Sequence, residues 1–182
     1  MEDILSILKN GGLILYPTDT VWGIGCDATN ADAVAKIYNL KNREEGKAML
    51  CLVSDIKMLE KHIDKVPDAA YTILEYADKP TTIIYDNPAG VAENLIGEDN
   101  TLGIRVVAKG FAHQLIRKYR KPIVSTSANK SGEITPRNFK EISPDILAGV
   151  DYVVNLQNEK SQAKPSSIIR IKSDGQVQVI RM

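Results

Sequence analysis

The spacing of apolar positions changes repeatedly along the chain, and each change marks an element. Ile4, Leu5, Ile7 and Leu8 share one face of a short opening helix, which Asn10-Gly11-Gly12 stops. The unbroken run Leu13-Ile14-Leu15-Tyr16 reads as a buried strand ended by Pro17. Thr29 or Asn30 is placed to cap a helix over 31–40, whose stripe is Val34, Ile37 and Tyr38. A polar loop, KNREEGK, follows at 41–47. Next come a strand over 49–53, helices over 55–63 and 68–76, and a strand over 81–85. In 102–107 a period of two sets Leu102, Ile104 and Val106 on one face and turns Arg105 to the other. A helix over 111–119 leads to a strand at 122–124 that runs into a small-polar loop, STSAN, at 125–129. A helix over 138–147, interrupted at Pro144, precedes strands at 152–155, 167–171 and 177–181, the last two joined by an Asp174-Gly175 turn. Strands alternating with helices and ending in a hairpin predict an α/β fold with a mixed sheet and packed helices.

Composition narrows the chemistry more than the fold. With 182 residues, 43% hydrophobic and 25% charged, the chain suits a single domain over 1–182. Lysine plus arginine (23) balances aspartate plus glutamate (23), so no overall field draws it onto nucleic acid or an anionic membrane. An anion site must therefore be a local gathering of cations. The start, MEDILSILKN, lacks the basic opening and apolar run of a signal peptide, and no segment reaches membrane-spanning length. Cys26 and Cys51 form no CxxC pair, and His62 and His113 have no cysteine companions, which argues against zinc and for a cytoplasmic protein. Both histidines, both cysteines and Trp22 read as structural residues.

Four polar segments stand where strands or helices end: PTDT at 17–20, KNREEGK at 41–47, STSAN at 125–129 and KPSS at 164–167. One such segment is an ordinary turn, but four together point to a ligand site at the strand ends. Lys41, Arg43 and Lys47 supply cations in the second, and Arg105 and Arg181, on predicted strands, are the partners that would have to converge on them. Both Lys41 and Arg43 are expected to be exposed loop residues. The sequence has no GxxxxGK[ST] loop, no GxGxxG opening a helix, no HExxH and no GxSxG elbow, so nucleotide binding or catalysis by those devices is excluded.

The segment from Gly11 through PTDTVWGIG to LKNR resembles the opening signature of the YrdC/Sua5 family, with its Pro-Thr-(Asp/Glu)-Thr run and Lys-x-Arg motif. STSANKSGEITP is similar to its Ser-x-x-Asn signature, and KPSSIIRI to its late Pro-Ser-Thr strand; the three stand in the family's order over residues 11–181. The resemblance implies a twisted mixed parallel and antiparallel sheet with flanking helices around a large basic cavity. It also implies threonylcarbamoyl-AMP synthase activity: L-threonine, bicarbonate and ATP give threonylcarbamoyl adenylate and pyrophosphate. A downstream threonylcarbamoyl transferase uses that adenylate on tRNA, and a direct tRNA contact is compatible with the reading. By the same resemblance Lys41, Arg43, Ser127 and Asn129 are the catalytic set. Lys47, Thr101, Thr135 and Arg181 join them around ATP, and Thr20, Arg105, Ser125 and Ser167 surround threonine. Mg²⁺ is implied, held by phosphates and water because no carboxylate cluster stands out.

The chain departs from the family pattern at Glu44, at YADKPTT (76–82) and at Leu52. It ends near Arg181 and is expected to lack the C-terminal domain of the longer Sua5 type. Two other readings stand beside the synthase: a non-catalytic RNA- or nucleotide-binding translation or ribosome-assembly factor, and a YciO-like relative of different activity.

Overall fold

The computed structural model describes residues 1–44, 49–155 and 165–182. Its elements in chain order are α1 (Glu2–Lys9), β1 (Ile14–Pro17), β2 (Trp22–Gly25), α2 (Ala31–Leu40), β3 (Leu50–Val53), α3 (Ile56–Leu59), α4 (Asp68–Tyr76), β4 (Thr81–Asp86), β5 (Thr101–Val106), α5 (Gly110–Tyr119), β6 (Ile123–Ser127), α6 (Pro144–Ala148), β7 (Tyr152–Val153), β8 (Ser167–Ile171) and β9 (Val177–Arg181). Among the described residues nine strands join one sheet in the order β7-β1-β2-β6-β3-β5-β4-β8-β9. The pairs β1·β7, β3·β5 and β4·β8 run parallel and the others antiparallel, so the sheet is mixed, as the alternation of elements predicted.

Local chemistry explains where the elements begin. Asn30 caps α2: its side chain accepts from the Ala33 amide at 3.1 Å, satisfying one of the helix's free donors. Ser143 caps α6 in the same way, with Pro144 just inside the start, where its fixed φ suits a first turn. The expected helix over 138–147 is therefore corrected to a 3₁₀ turn at Phe139–Glu141 followed by α6, because proline opens this helix rather than interrupting one. The helix expected over 55–63 shrinks to α3; Asp55 caps it, and the chain then turns at 60–64. β2 has no forerunner in the sequence reading. Its WGIG run offers no alternation, and the glycines serve close approach: a Cβ on Gly25 would stand 2.6 Å from Tyr16 Cε1 and 2.8 Å from the Val124 carbonyl.

The sheet buries a core on each face. One packs Leu13, Leu15, Trp22, Ile24, Cys51, Val124, Leu102 and Ile104 against α2, α3, α4 and α6. The other packs Ile14, Tyr16, Leu52 and Ile123 against α1 and α5. On this second face the helices cover the β1–β3 end of the sheet, and residues of β3, β5, β4, β8 and β9 line a cavity beside them. Trp22 is fully buried and meets the Phe139 ring edge-on at 5.2 Å, which gives it the core role the sequence suggested. Cys26 and Cys51 are buried free thiols. Among the described residues no helix is long and apolar enough to cross a membrane.

Candidate active site

Strand alternation builds the cavity. On β5 the side chains of Leu102 and Ile104 go to one core, so Thr101, Gly103 and Arg105 face the other way and line the cavity. Thr82 and Ile84 of β4, Leu50 of β3 and Ser125 and Ser127 of β6 stand on the same side. The small-polar segment expected as a loop at 125–129 is thus corrected at 125–127. These residues extend β6, with Ser125 opposite Leu50, Thr126 opposite Ile24 and Ser127 opposite Gly23, so sheet pairing sets their hydroxyl positions. Gly103 leaves the floor open: a Cβ there would stand 3.3 Å from Thr82 Cγ2.

The cavity measures about 340 Å³, within the usual range for small-molecule sites. Three cations line it, Arg43, Arg105 and Arg181, and no aspartate, glutamate, histidine or cysteine is among the described lining residues. Arg181 on β9 donates from Nε and Nη2 to the Ser166 carbonyl at 3.1 and 2.8 Å, which fixes a cation at the rim. Arg105 is enclosed, its side chain 3% exposed, and its Nη2 reaches Asp19 Oδ1 at 2.8 Å and Thr20 Oγ1 at 3.3 Å. Among the described residues no group of three or more histidine, cysteine, aspartate or glutamate side chains is disposed to hold a metal ion. The donor set among the described residues therefore does not fit a protein-ligated Mg²⁺.

Of the residues the sequence singled out, Thr20, Arg43, Thr101, Arg105, Ser125, Ser127, Thr135 and Arg181 share this lining. Three others do not, and Lys47 lies outside the described residues. Ser167 is buried with its hydroxyl unpartnered among the described residues, and alternation puts its neighbours Ser166 and Ile168 on the cavity wall instead. Ser166 was missed although its segment was marked; its hydroxyl bonds Thr82 Oγ1 at 2.8 Å. Asn129 is buried, its amide nitrogen donating to the carbonyls of Lys130 (3.0 Å) and Glu133 (2.9 Å).

Lys41 is the largest correction. Expected to be exposed, it is 1% exposed, and its ammonium donates to the carbonyls of Ser127 and Asn129. Ser131 N in turn donates to the Lys41 carbonyl at 2.8 Å, so the end of α2 and the strand-to-loop junction after β6 are stitched together in both directions. Burial, and secondarily the neighbouring Arg43 cation, pull the Lys41 ammonium down to a pKa of about 8, against a smaller upward pull from Glu133. Arg43, two residues on, is the member of that motif that lines the cavity, half-buried.

Known proteins share this chain's sequence pattern and fold. Threonylcarbamoyl-AMP synthase of Stenotrophomonas maltophilia is 32% identical over 159 residues, which covers 85% of this chain and 85% of that one. The P. abyssi Sua5 structure complexed with L-threonine superposes with a TM-score of 0.84 at 23% identity, over 93% of this chain and 50% of that one. E. coli YciO superposes with the same score of 0.84 at 23% identity, over 98% of this chain and 86% of that one. The chain thus spans about half the length of the P. abyssi protein, and at these identities the structural likeness is one of fold. The Sua5/YciO/YrdC family model, described as telomere recombination, matches residues 6–182, and the chain, whose mixed sheet carries a cavity lined by three arginines and a row of hydroxyls, belongs to that family.

Proposed function

We propose that this chain is a threonylcarbamoyl-AMP synthase, joining L-threonine, bicarbonate and ATP into threonylcarbamoyl adenylate with release of pyrophosphate. The observation that carries the reading is the cavity's content: Arg43, Arg105 and Arg181 among serine and threonine hydroxyls, with no aspartate, glutamate, histidine or cysteine among the described lining residues. The reaction needs no protein nucleophile. The threonine ammonium gives up a proton, and the free amine and bicarbonate then form a carbamate with loss of water. A carbamate oxygen then attacks the α-phosphorus of ATP, the bond to the β,γ-diphosphate breaks, and pyrophosphate leaves with its charge. Such chemistry asks the protein to orient reactants and to face developing phosphate charge with fixed donors.

In this reading Arg43 and Arg181, with Thr101, Thr135 and Ser127, serve the nucleotide, and Thr20, Arg105 and Ser125 serve threonine. Arg105 pairs with the amino-acid carboxylate, the contact for which a guanidinium is best shaped. Lys41 and Asn129 act one step back, holding the junction that carries Ser127. Mg²⁺ accompanies the triphosphate as part of the substrate. The adenylate is consumed by a threonylcarbamoyl transferase acting on tRNA, and the work is cytoplasmic, in keeping with two buried free thiols.

Steady-state pyrophosphate release separates the two subsites. Arg105→Ala is expected to raise the KM for threonine by about tenfold or more while the KM for ATP stays within about twofold. Arg43→Ala is expected to lower kcat by about a hundredfold. Equal losses for both substrates in Arg105→Ala would remove the assignment of that residue to threonine.

A further inference from the structure

Arg105 accounts for one end of an amino acid and leaves the other unmatched. Near neutral pH a free amino acid carries an ammonium beside its carboxylate, and enclosing that ammonium among three arginines is unfavourable unless an anion faces it. No carboxylate is among the cavity-lining residues described, but one stands directly behind them: Asp19, whose Oδ1 is 2.8 Å from Arg105 Nη2. The two partners differ in exposure: the Arg105 side chain is 3% exposed and the Asp19 side chain 18%, and the residues that follow Asp19, Thr20 and Val21, line the cavity.

The turn carrying Asp19 is built to hold still. Thr18 Oγ1 donates to the Val21 carbonyl at 2.7 Å, accepts from the Thr20 amide at 3.1 Å and stands 3.0 Å from Thr20 Oγ1. The single Thr18 hydroxyl proton is used on Val21, so Thr20 supplies the proton between the two hydroxyls and keeps its lone pairs for Arg105 Nη2 at 3.3 Å. Arg105 Nε, buried, has no partner among the described residues, so Asp19 and Thr20 do not saturate the guanidinium. A cation and a spare donor at the cavity lining, with an anion paired directly behind them, are thereby fixed side by side. That is the complement of a zwitterion.

We propose that Asp19 recognises the α-ammonium of the incoming amino acid and is the residue that makes the site demand a free α-amino group. The inference rests on the synthase reading and adds a specificity residue to it. Asp19→Asn is the informative variant, because its side-chain oxygen still accepts from Arg105 while the negative charge is gone. Calorimetric titration compares L-threonine with (2S,3R)-2,3-dihydroxybutanoate, which keeps the carboxylate and side chain and replaces the amine by a hydroxyl. The wild type is expected to prefer threonine by about tenfold or more. Asp19→Asn is expected to lose that preference through weaker threonine binding with unchanged hydroxy-acid binding, and Asp19→Glu, which keeps the anion, to retain part of it. Equal weakening of both ligands in Asp19→Asn would make Asp19 a brace for Arg105, and equal tightening would make it an internal blocker; either overturns the proposal. A wild type that binds no threonine overturns the synthase reading and this inference with it, whereas a threonine-binding wild type with an undiminished preference in Asp19→Asn overturns this inference alone.

Discussion

Lys41 sits where a polar loop leaves a helix, a place where lysines usually point to water. Instead its ammonium ends on two carbonyls, 86 and 88 residues further along the chain. Nothing in the local sequence announces this, because the carbonyls of Ser127 and Asn129 become neighbours only when β6 pairs between β2 and β3. Arg43 and Arg105 were legible for the opposite reason: one follows a helix end in a cationic loop, and the other alternates against apolar strand neighbours. The depressed Lys41 pKa gives a test at this scale. Loss of its proton near pH 8 weakens both carbonyl contacts, so pyrophosphate release is expected to fall with a midpoint near pH 8. The folded pKa of about 8 lies below the ordinary 10.5, so between those values the unfolded chain binds more protons and the fold gains stability as pH rises. Activity is therefore expected to fall while the melting temperature holds or rises. Lys41→Arg, charged throughout this range, is expected to move the alkaline limb upward; a limb that stays in place would assign it to another group.

Among elements, the junction of β2, α2 and α5 depends on Asp27. Its carboxylate accepts from Tyr119 Oη at 2.6 Å, Lys121 Nζ at 2.8 Å, and the amide and hydroxyl of Thr29 at 2.8 and 2.7 Å. Burial pushes this carboxyl upward, but the hydrogen bonds from Lys121, Tyr119 and Thr29 together outweigh it and hold the pKa below the usual 3.8. A depressed folded value means the stabilisation is present above the ordinary carboxylate pKa and is lost as pH falls through the folded one. Asp27→Asn is expected to cost about 2 kcal/mol, with Lys121 half-exposed and able to rehydrate. That corresponds to a fall of about 4–8 °C in melting temperature at neutral pH, with a smaller difference from wild type in acid. A pH-independent difference would remove Asp27 from the acid response. The same region shows what pattern reading misses: β2 is half glycine, and β6 continues through three small polar residues, so neither carries the apolar alternation by which strands are recognised. Elements with a cap and a stripe, such as α2, were read with their observed limits.

At the level of the whole molecule, a chain with no net charge concentrates cations on one patch of one sheet face. Arg43, Arg105 and Arg181 come from a helix end, a central strand and an edge strand, yet they line a common cavity. The ordered motifs made this constellation legible as a set of residues, while its geometry, with Ser166 on the wall and Lys41 behind it, required the sheet order. The claim that these groups condense threonine with ATP is tested most directly by incubating the protein with ATP, magnesium and ¹³C-bicarbonate in the presence of each of several amino acids and measuring product masses. The account predicts one adenylate that carries the ¹³C label, forms with threonine, and appears together with an equal amount of pyrophosphate. Pyrophosphate released equally without any amino acid, or no labelled adenylate with threonine, would contradict it.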